Sequence, residues 1–406
     1  MASSEAIKAM KALWQFAESK TLRECHRAPN PNVKAVNVDT AGAVNGLCNS
    51  RSRLSPLAAV GLFLQESLAL TAYVLAWVRA DRGHDVGMLT LTVPHYSRDR
   101  LEWLLESFQL AWQKLVNGGN QSAWKRICSQ YGIVGWRWQL EITESRRNGF
   151  HPHRHIILFF DRRLSAAEAQ AAERAIWQLW NERVYKVMGR RPHEEYGVDL
   201  RLASRKGSKG LAAYVTKGMA LEATGSINKA GRDSRSIHEI LLDLATAPKA
   251  RDLAIFHELE EALRGARWHG ESQQLKELMR DAGAEEIRAE LEEQHAAEYG
   301  GGTERYVLAA IDREEWKNKL ARNVERRAAM RAAVREADTL EEKAAALEEL
   351  LESWGVEYET VMVPATQYEA PLVVSAVTSI TAAAEAHAVI SPGSLPRPGG
   401  SVSIAA

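Results

Sequence analysis

The stretch WRWQLEITESRRNGFHPHRHIILFF, residues 136–160, consists of two strand-like runs around a short polar turn. Aromatic and β-branched residues dominate WRWQLEIT (136–143) and HRHIILFF (153–160), which favours strands, and ESRRNGF between them is typical of a hairpin loop. His153 and His155 share one face of the second strand, because side chains alternate along a strand. His151 has the same parity, but it precedes Pro152 and can still belong to the loop.

Segments on both sides extend this hairpin into an α+β pattern. VGMLTLTVP (86–94) predicts a further strand, and residues 99–116 place their leucines, Phe and Trp on one helical face. Ser165 with Glu168 forms a possible capping box at the start of another helix. GVDLRL (197–202) predicts a fourth strand, and we expect a helix from about 208 to 222. Hairpin-linked strands with helices on one face indicate an α+β fold with an antiparallel sheet.

Changes in residue composition along the chain suggest four regions. Residues 1–84 are interpreted as a helical N-terminal segment and 85–225 as the core that carries the hairpin. Residues 226–357 are rich in Ala, Glu, Arg and Leu, which predicts a helical C-terminal region. Residues 358–406 carry few charges and little that could pack, so we expect a largely disordered tail.

Composition narrows the class of protein without deciding it. The 406 residues include 52 basic and 52 acidic side chains, so a nucleic-acid partner would have to meet a local basic patch. Three scattered cysteines do not make a disulfide framework, and the N-terminus does not resemble a signal peptide. These features favour a cytoplasmic protein over a secreted one.

One apolar stretch, Leu54 to Val78, is long enough to cross a bilayer. Glu66 lies near its centre, where a charge costs about 3 kcal/mol to insert. Ser55 followed by Pro56 is typical of a helix start. We therefore predict a mostly buried helix of a soluble protein with no membrane partner.

Two imidazoles and a neighbouring carboxylate indicate a metal site. His153 and His155 are close enough along the strand to reach one cation, and Glu141 on the preceding strand can face the same side. Glu144, nearer the loop, is a competing ligand. Two imidazoles and one carboxylate leave positions on a divalent cation open for a substrate oxygen. The alternative is an edge strand with incidental histidines.

A second constellation lies in SKGLAAYVTKGMALE, where Tyr214 and Lys217 are helical neighbours off the apolar stripe. A tyrosine beside an ammonium can attack a phosphodiester, although Tyr214 can also be an ordinary amphipathic boundary residue. The segment upstream supplies a basic patch suited to phosphates. The patch consists of Arg201, Arg205, Lys206 and Lys209.

Three motifs in this order carry a family resemblance. MLTLTVPH (88–95), HPHRHIILFF (151–160) and AAYVTKG (212–218) resemble the motifs of rolling-circle plasmid replication initiators of the HUH endonuclease superfamily. GRDSRSIHEILLDLA (231–245) and IFHELEEALRGARW (255–268) are similar to the following segment of actinobacterial members. The resemblance covers roughly residues 85 to 270.

The resemblance implies a role for each candidate residue. His153 and His155 would be the paired metal ligands, Glu141 the third ligand, Tyr214 the nicking nucleophile and Lys217 its phosphate partner. The implied fold is an antiparallel palm flanked by helices, with the metal on an exposed face of the sheet. The implied cofactor is Mg²⁺ or Mn²⁺. The implied partners are single-stranded or hairpin plasmid origin DNA and a host helicase and polymerase.

The chain departs from the family pattern at three places. Arg154 replaces the usual hydrophobic residue between the histidines, so the opposite face of the sheet should be more polar. SPLA (55–58) stands where a CPxC-like turn is common, which argues against a structural zinc site near Cys25 and Cys48. Gly210 stands where some relatives place a glutamate that activates water, and Glu222 is a weak substitute.

Two other classes stay open. A relaxase or transposase of the same superfamily would use the same chemistry, but relaxases usually place the tyrosine ahead of the histidines, and here it follows them. A non-catalytic origin-binding regulator would explain the altered cysteines and Arg154. It would leave His153, His155 and Tyr214 as a coincidence.

Overall fold

The computed structural model describes residues 4–118, 122–203, 234–299 and 305–368. The helices of the first half are α1 (Ser4–Phe16), α2 (Lys20–Glu24), α3 (Pro56–Ala80), α4 (Leu101–Val116), α5 (Ala123–Tyr131) and α6 (Ala166–Met188). Those of the second half are α7 (Ile237–Thr246), α8 (Ala250–Ala262), α9 (Gln273–Asp281), α10 (Ala284–Tyr299), α11 (Arg313–Lys319), α12 (Val324–Glu336) and α13 (Leu340–Ser353). The helix expected over 208–222 lies outside the described residues.

The strands form two antiparallel sheets. They are β1 (Ala35–Asp39), β2 (Val44–Asn45), β3 (Asp85–Thr92), β4 (Ile133–Ser145), β5 (Gly149–Phe160), β6 (Val198–Leu202), β7 (Ser234–Arg235), β8 (His269–Glu271), β9 (Tyr306–Asp312) and β10 (Glu359–Pro364). The central sheet has the order β6-β3-β5-β4-β7, with β8 also paired to β4, and every pairing is antiparallel. The predicted α+β class with an antiparallel sheet is confirmed.

Side-chain alternation along β5 divides the central sheet into two faces. Ile156, Leu158 and Phe160 point into the main core, which α4 and α6 cover. Ile157 and Phe159 point to the other face, where α3 and α9 pack. The second face is covered at the Phe159 end of β5. His153 and His155 lie on this same face, upstream along β5, and His155 is 7% exposed.

Local signals in the sequence set the helices that cover the main core. The Ser165 hydroxyl accepts a hydrogen bond from the Glu168 backbone amide, and the Glu168 carboxylate accepts one from the Ser165 backbone amide. The predicted capping box therefore starts α6. The apolar face of α4 is buried, as its spacing predicts, and Phe108 packs against Trp180 of α6 with ring centroids 5.3 Å apart.

The second sheet, of order β10-β9-β1-β2, was not expected from the sequence. Its strands come from residues 35–45 and 306–364, and a separate core forms between it and α11 to α13. The N-terminal segment and the C-terminal region are therefore not purely helical. At the start of the segment expected to be a largely disordered tail, residues 359–364 form β10 against β9.

The apolar stretch forms α3, which begins at the Ser55 cap as predicted. By length and composition alone α3 could cross a membrane, and only 28% of its most apolar window is buried, less than we expected. The charge at its centre has a protein partner, because Glu66 accepts from Arg137 of β4 at 2.6 Å. Helix α10 packs along α3. A helix tied to a sheet in this way is part of a folded protein unit.

The three cysteines, Cys25, Cys48 and Cys128, are free thiols. Cys25 is buried, and its sulfur lies 3.1 Å from the Ser50 hydroxyl. Burial raises the pKa of Cys128 to about 12, so this thiol stays protonated at neutral pH. These contacts agree with the expected lack of a disulfide framework.

Candidate active site on the central sheet

The register of the β-hairpin brings the candidate ligands to one row of the sheet. Glu141 of β4 pairs directly with His153 of β5, and Thr92 of β3 pairs with His153 from the other side. One step along, His155 lies between Gln139 and Thr90. Directly paired residues of neighbouring strands point to the same face, so Glu141 and both histidines share a face.

Glu141 links the two imidazoles. Its Oε2 lies 2.8 Å from Nε2 of His155 and 3.9 Å from Nδ1 of His153. Because a carboxylate only accepts, the short contact is a hydrogen bond donated by Nε2 of His155. On the other side of the ring, Nδ1 of His155 is hydrogen-bonded to the Thr90 hydroxyl at 3.2 Å. Thr90 therefore fixes the orientation of the ring that contacts Glu141.

A divalent cation would need His153, His155 and Glu141 as donors around one point. Among the residues that the structure describes, no three His, Cys, Asp or Glu side chains are arranged closely enough to hold a metal ion as they stand. The 2.8 Å contact is instead the hydrogen bond between His155 and Glu141, and the 3.9 Å separation from His153 is longer than a hydrogen bond. By residue type, two imidazoles and a carboxylate suit Mn²⁺ or Mg²⁺, and this donor chemistry is what fits the group.

Two further imidazoles extend the row toward the hairpin turn. His151 lies within β5, not in the loop, and its ring centroid is 3.8 Å from that of His153. His95, just after β3, stacks on His151 at 4.1 Å. Burial, followed by the neighbouring His153 and His95, lowers the pKa of His151 to about 2. His151 is therefore neutral at physiological pH and has a lone pair available.

Glu144, the competing ligand in the sequence interpretation, is engaged elsewhere. It is 2% exposed, and its two oxygens accept from Arg235 at 2.7 Å and from Arg251 at 2.8 Å. Arg235 in turn contacts Asp243 and Asp252 at 2.6 and 2.8 Å. This network fastens β7, α7 and α8 to the end of β4. Glu144 is a structural anchor, and it is not in the histidine row.

Arg154 points to the opposite face, as expected. It is 4% exposed, and its guanidinium carbon lies 4.1, 4.9 and 5.7 Å from the ring centroids of Trp138, Phe108 and Trp112. It donates to the side-chain oxygen of Gln109. Burial lowers the pKa of Arg154 to about 9. The main core thus holds a cation directly behind the histidine pair, held by aromatic faces and one amide.

The second predicted constellation cannot be placed by the structure. Tyr214 and Lys217 lie outside the described residues, as do Gly210 and Glu222. Of the predicted basic patch, Arg205, Lys206 and Lys209 also lie outside them. Arg201 is described, on β6, and is ion-paired with Asp199 at 2.6 Å. Part of its charge is therefore already balanced.

Sequence reasoning missed His95 and Thr90 as members of the site. The signal was present in MLTLTVPH, since pairing this strand antiparallel to β5 places Thr90 beside His155 and His95 near His151. The order of strands in the sheet, which the sequence did not give, was needed to use that signal.

Comparison with known proteins supplies the class. Residues 44–322, more than half of the chain, match the family model Rep_1, described as replication protein. The chain therefore belongs to this replication protein family. It is also similar to Protein rep of Streptomyces lividans, with 25% identity over 318 residues that cover 64% of this chain and 69% of that protein. No solved structure matches the chain significantly.

Proposed function

We propose that this replication protein initiates rolling-circle replication of a plasmid by nicking one strand of the origin. Family membership and the order of the three motifs support the class. The observation that carries the catalytic part is the meeting of His153, His155 and Glu141 on adjacent antiparallel strands. A palm of the HUH type would place its metal ligands on a sheet in this manner.

Each residue then has a defined task. His153, His155 and Glu141 would hold Mg²⁺ or Mn²⁺, which when bound polarises the scissile phosphodiester. The Tyr214 oxygen attacks phosphorus and loses its proton, while the bond from phosphorus to the 3′ oxygen breaks and that oxygen takes up a proton. The products are a 5′-phosphotyrosine and a free 3′-hydroxyl. Lys217 stabilises charge on the phosphoryl oxygens, and attack by a 3′-hydroxyl on the phosphotyrosine religates the strand.

Two exposed tyrosines beside the site favour a single-stranded substrate. Tyr96 is 60% exposed and follows His95, and Tyr196 is 65% exposed, with its carbonyl bound to Thr92 beside His153. Arg190 lies over the Tyr96 ring at 4.6 Å. Exposed aromatic faces near cations are suited to stacking unpaired bases. We infer that the nicked strand passes over this surface.

The test uses a labelled single-stranded origin oligonucleotide and Mn²⁺. Wild type should leave a denaturation-resistant adduct, which Tyr214→Phe abolishes while retaining DNA binding, since only the attacking oxygen is removed. Tyr185→Phe is the matched control, because Tyr185 is an exposed tyrosine on α6, behind the opposite face of the sheet, and should react normally.

The same assay addresses the metal ligands. Excess chelator, or the double change His153→Ala and His155→Ala, should abolish the adduct and reduce Mn²⁺ binding measured by calorimetry. Adduct formation that survives both treatments would contradict the metal assignment. An adduct formed by Tyr214→Phe would transfer the nucleophile role, and Tyr196→Phe would then be examined, since Tyr196 lies beside the histidine row. No adduct with any metal would favour a non-catalytic origin binder.

A further inference from the structure

A cavity of about 90 Å³ lies between the two sheet units, away from the histidine row. Its walls come from α1, the start of α3, the residues around β2, and α12. Most of the lining is apolar, including Met10, Leu47 and Leu57. His26, Arg327 and Arg331 also line it. At about 30 Å³ per water, the space corresponds to roughly three water molecules.

Two buried nitrogen atoms at this cavity have no hydrogen-bond partner among the described residues. They are Nε2 of His26, a residue only 9% exposed, and Nε of Arg327. His26 also adopts a left-handed backbone with φ of 52°, which is costly for a residue with a side chain. Unpaired buried polar atoms are rare in folded proteins and call for a partner.

The other contacts of Arg327 and Arg331 do not provide a hydrogen-bond partner for the two unpaired nitrogen atoms. Arg327 donates through its outer nitrogen to the His26 carbonyl, and its guanidinium carbon lies 5.1 Å over the Trp14 ring. Arg331 reaches the Gly42 carbonyl at 3.4 Å. Neither arginine therefore shows an ion pair with a carboxylate among the described residues. Contacts with an aromatic ring and with carbonyl oxygens orient a guanidinium, but they do not neutralise its positive charge.

The electrostatic surroundings are positive. Burial, followed by the neighbouring Arg331 and Arg27, lowers the pKa of Arg327 to about 10. The nearby acids offset this charge only in part: Glu325, which contacts Lys11, favours charged Arg327, and Asp39, which lies 3.5 Å from Arg305, favours charged Arg331. An anion that entered the cavity would relieve the repulsion between these cations.

We propose that this cavity binds a small organic anion whose phosphate or carboxylate end meets Arg327 and His26. The oxyanion accepts from Nε of Arg327 and from the His26 ring, and the apolar remainder packs against Met10, Leu47 and Leu57. The apolar walls favour an ester or acid with a hydrocarbon body over inorganic phosphate. The bound ligand touches α1 and α3 on one side and α12 on the other. It therefore fastens the two sheet units together.

The experiment measures binding of propionate, methyl phosphate and inorganic phosphate, anions small enough for a space of about 90 Å³, to the full chain by calorimetry and by thermal shift. A ligand that binds only the folded state raises the melting temperature, so both readouts should agree. We expect an organic anion to bind more tightly than inorganic phosphate. Arg327→Met keeps most of the apolar stem and should weaken binding about tenfold to a hundredfold, the value of a charge-assisted hydrogen bond.

Arg335→Met is the control, because it removes a positive charge from an exposed position two turns along α12 that does not line the cavity. It acts on the cavity only through its repulsion of Arg331, so it should weaken binding far less than Arg327→Met. If Arg327→Met does not fold, His26→Asn provides a second route, since Asn tolerates a left-handed backbone. That variant should also weaken binding. Equal losses in Arg335→Met and Arg327→Met would show nonspecific charge attraction and overturn the proposal. Failure of all three probes to bind wild type would overturn it as well.

Discussion

Glu66 should make the stability of the central sheet depend on acid pH. It lies on α3, and its carboxylate accepts from Arg137 at 2.6 Å and contacts His269 at 3.1 Å. Burial raises the pKa of Glu66, but the hydrogen bond from His269 and the charge of Arg137 outweigh it and lower the pKa from 4.5 to about 2. A difference of this size between folded and unfolded chains corresponds to about 3 kcal/mol of stability.

The sign follows from the lowered folded value. The unfolded chain takes up the proton first as pH falls, so the contribution is complete above about pH 4.5 and is lost as the pH approaches 2. About 2 kcal/mol of it should already be lost at pH 3. Glu66→Gln removes the titrating group, so wild type should exceed the variant by up to about 3 kcal/mol at pH 7 and by about 1 kcal/mol at pH 3.

Urea unfolding of both proteins at pH 7, 5, 4 and 3 measures this difference directly, and other carboxylates cancel because both chains share them. An advantage of wild type that stays constant from pH 7 to pH 3 would refute the reasoning. It would mean that Glu66 and Arg137 do not form their ion pair in the folded protein.

Two other predictions follow from the anchors of the fold. Glu144→Ala should destabilise the protein by about 2–3 kcal/mol in urea unfolding, because the hydrogen bonds to Arg235 and Arg251 are lost while Arg235 keeps Asp243 and Asp252; a loss below about 1 kcal/mol would contradict the anchor role. Truncation after Tyr368 should leave the melting temperature unchanged, whereas truncation after Glu357 removes β10 and should cost about 1–3 kcal/mol, with nicking retained by both. Equal melting temperatures for the two truncations would show that β10 adds nothing to the second sheet.

The hairpin and its histidines could be predicted because the relevant physics is local. Alternation fixes which side chains share a face, so Glu141 could be placed on the side of the histidine pair from the sequence, and the structure then gave its direct pairing with His153. The role of Glu144 could not be predicted this way. Its partner Arg235 lies 91 residues away, and no local pattern announces that contact.

The second sheet was missed for the same physical reason. The runs that become β1 and β9 are short and lie between helical segments, and their pairing joins parts of the chain that are far apart in sequence. The burial of α3 was overestimated, because an apolar composition shows that a helix can be buried but does not show how many neighbouring elements pack against it. Arg154 was placed on the correct face by parity, but its aromatic surroundings depend on α4.

The pairing of β1 with β9 has a consequence for synthesis of the chain on the ribosome. Thr40 at the end of β1 binds Tyr306 at the start of β9, a separation of 266 residues. At typical elongation rates of about 5–20 residues per second, roughly 15–50 s pass between the synthesis of β1 and that of β9. During that interval the histidine hairpin is already synthesised, while the N-terminal strand has an open edge that can pair wrongly. The second sheet can therefore form only after the ribosome has translated β9 in the C-terminal region.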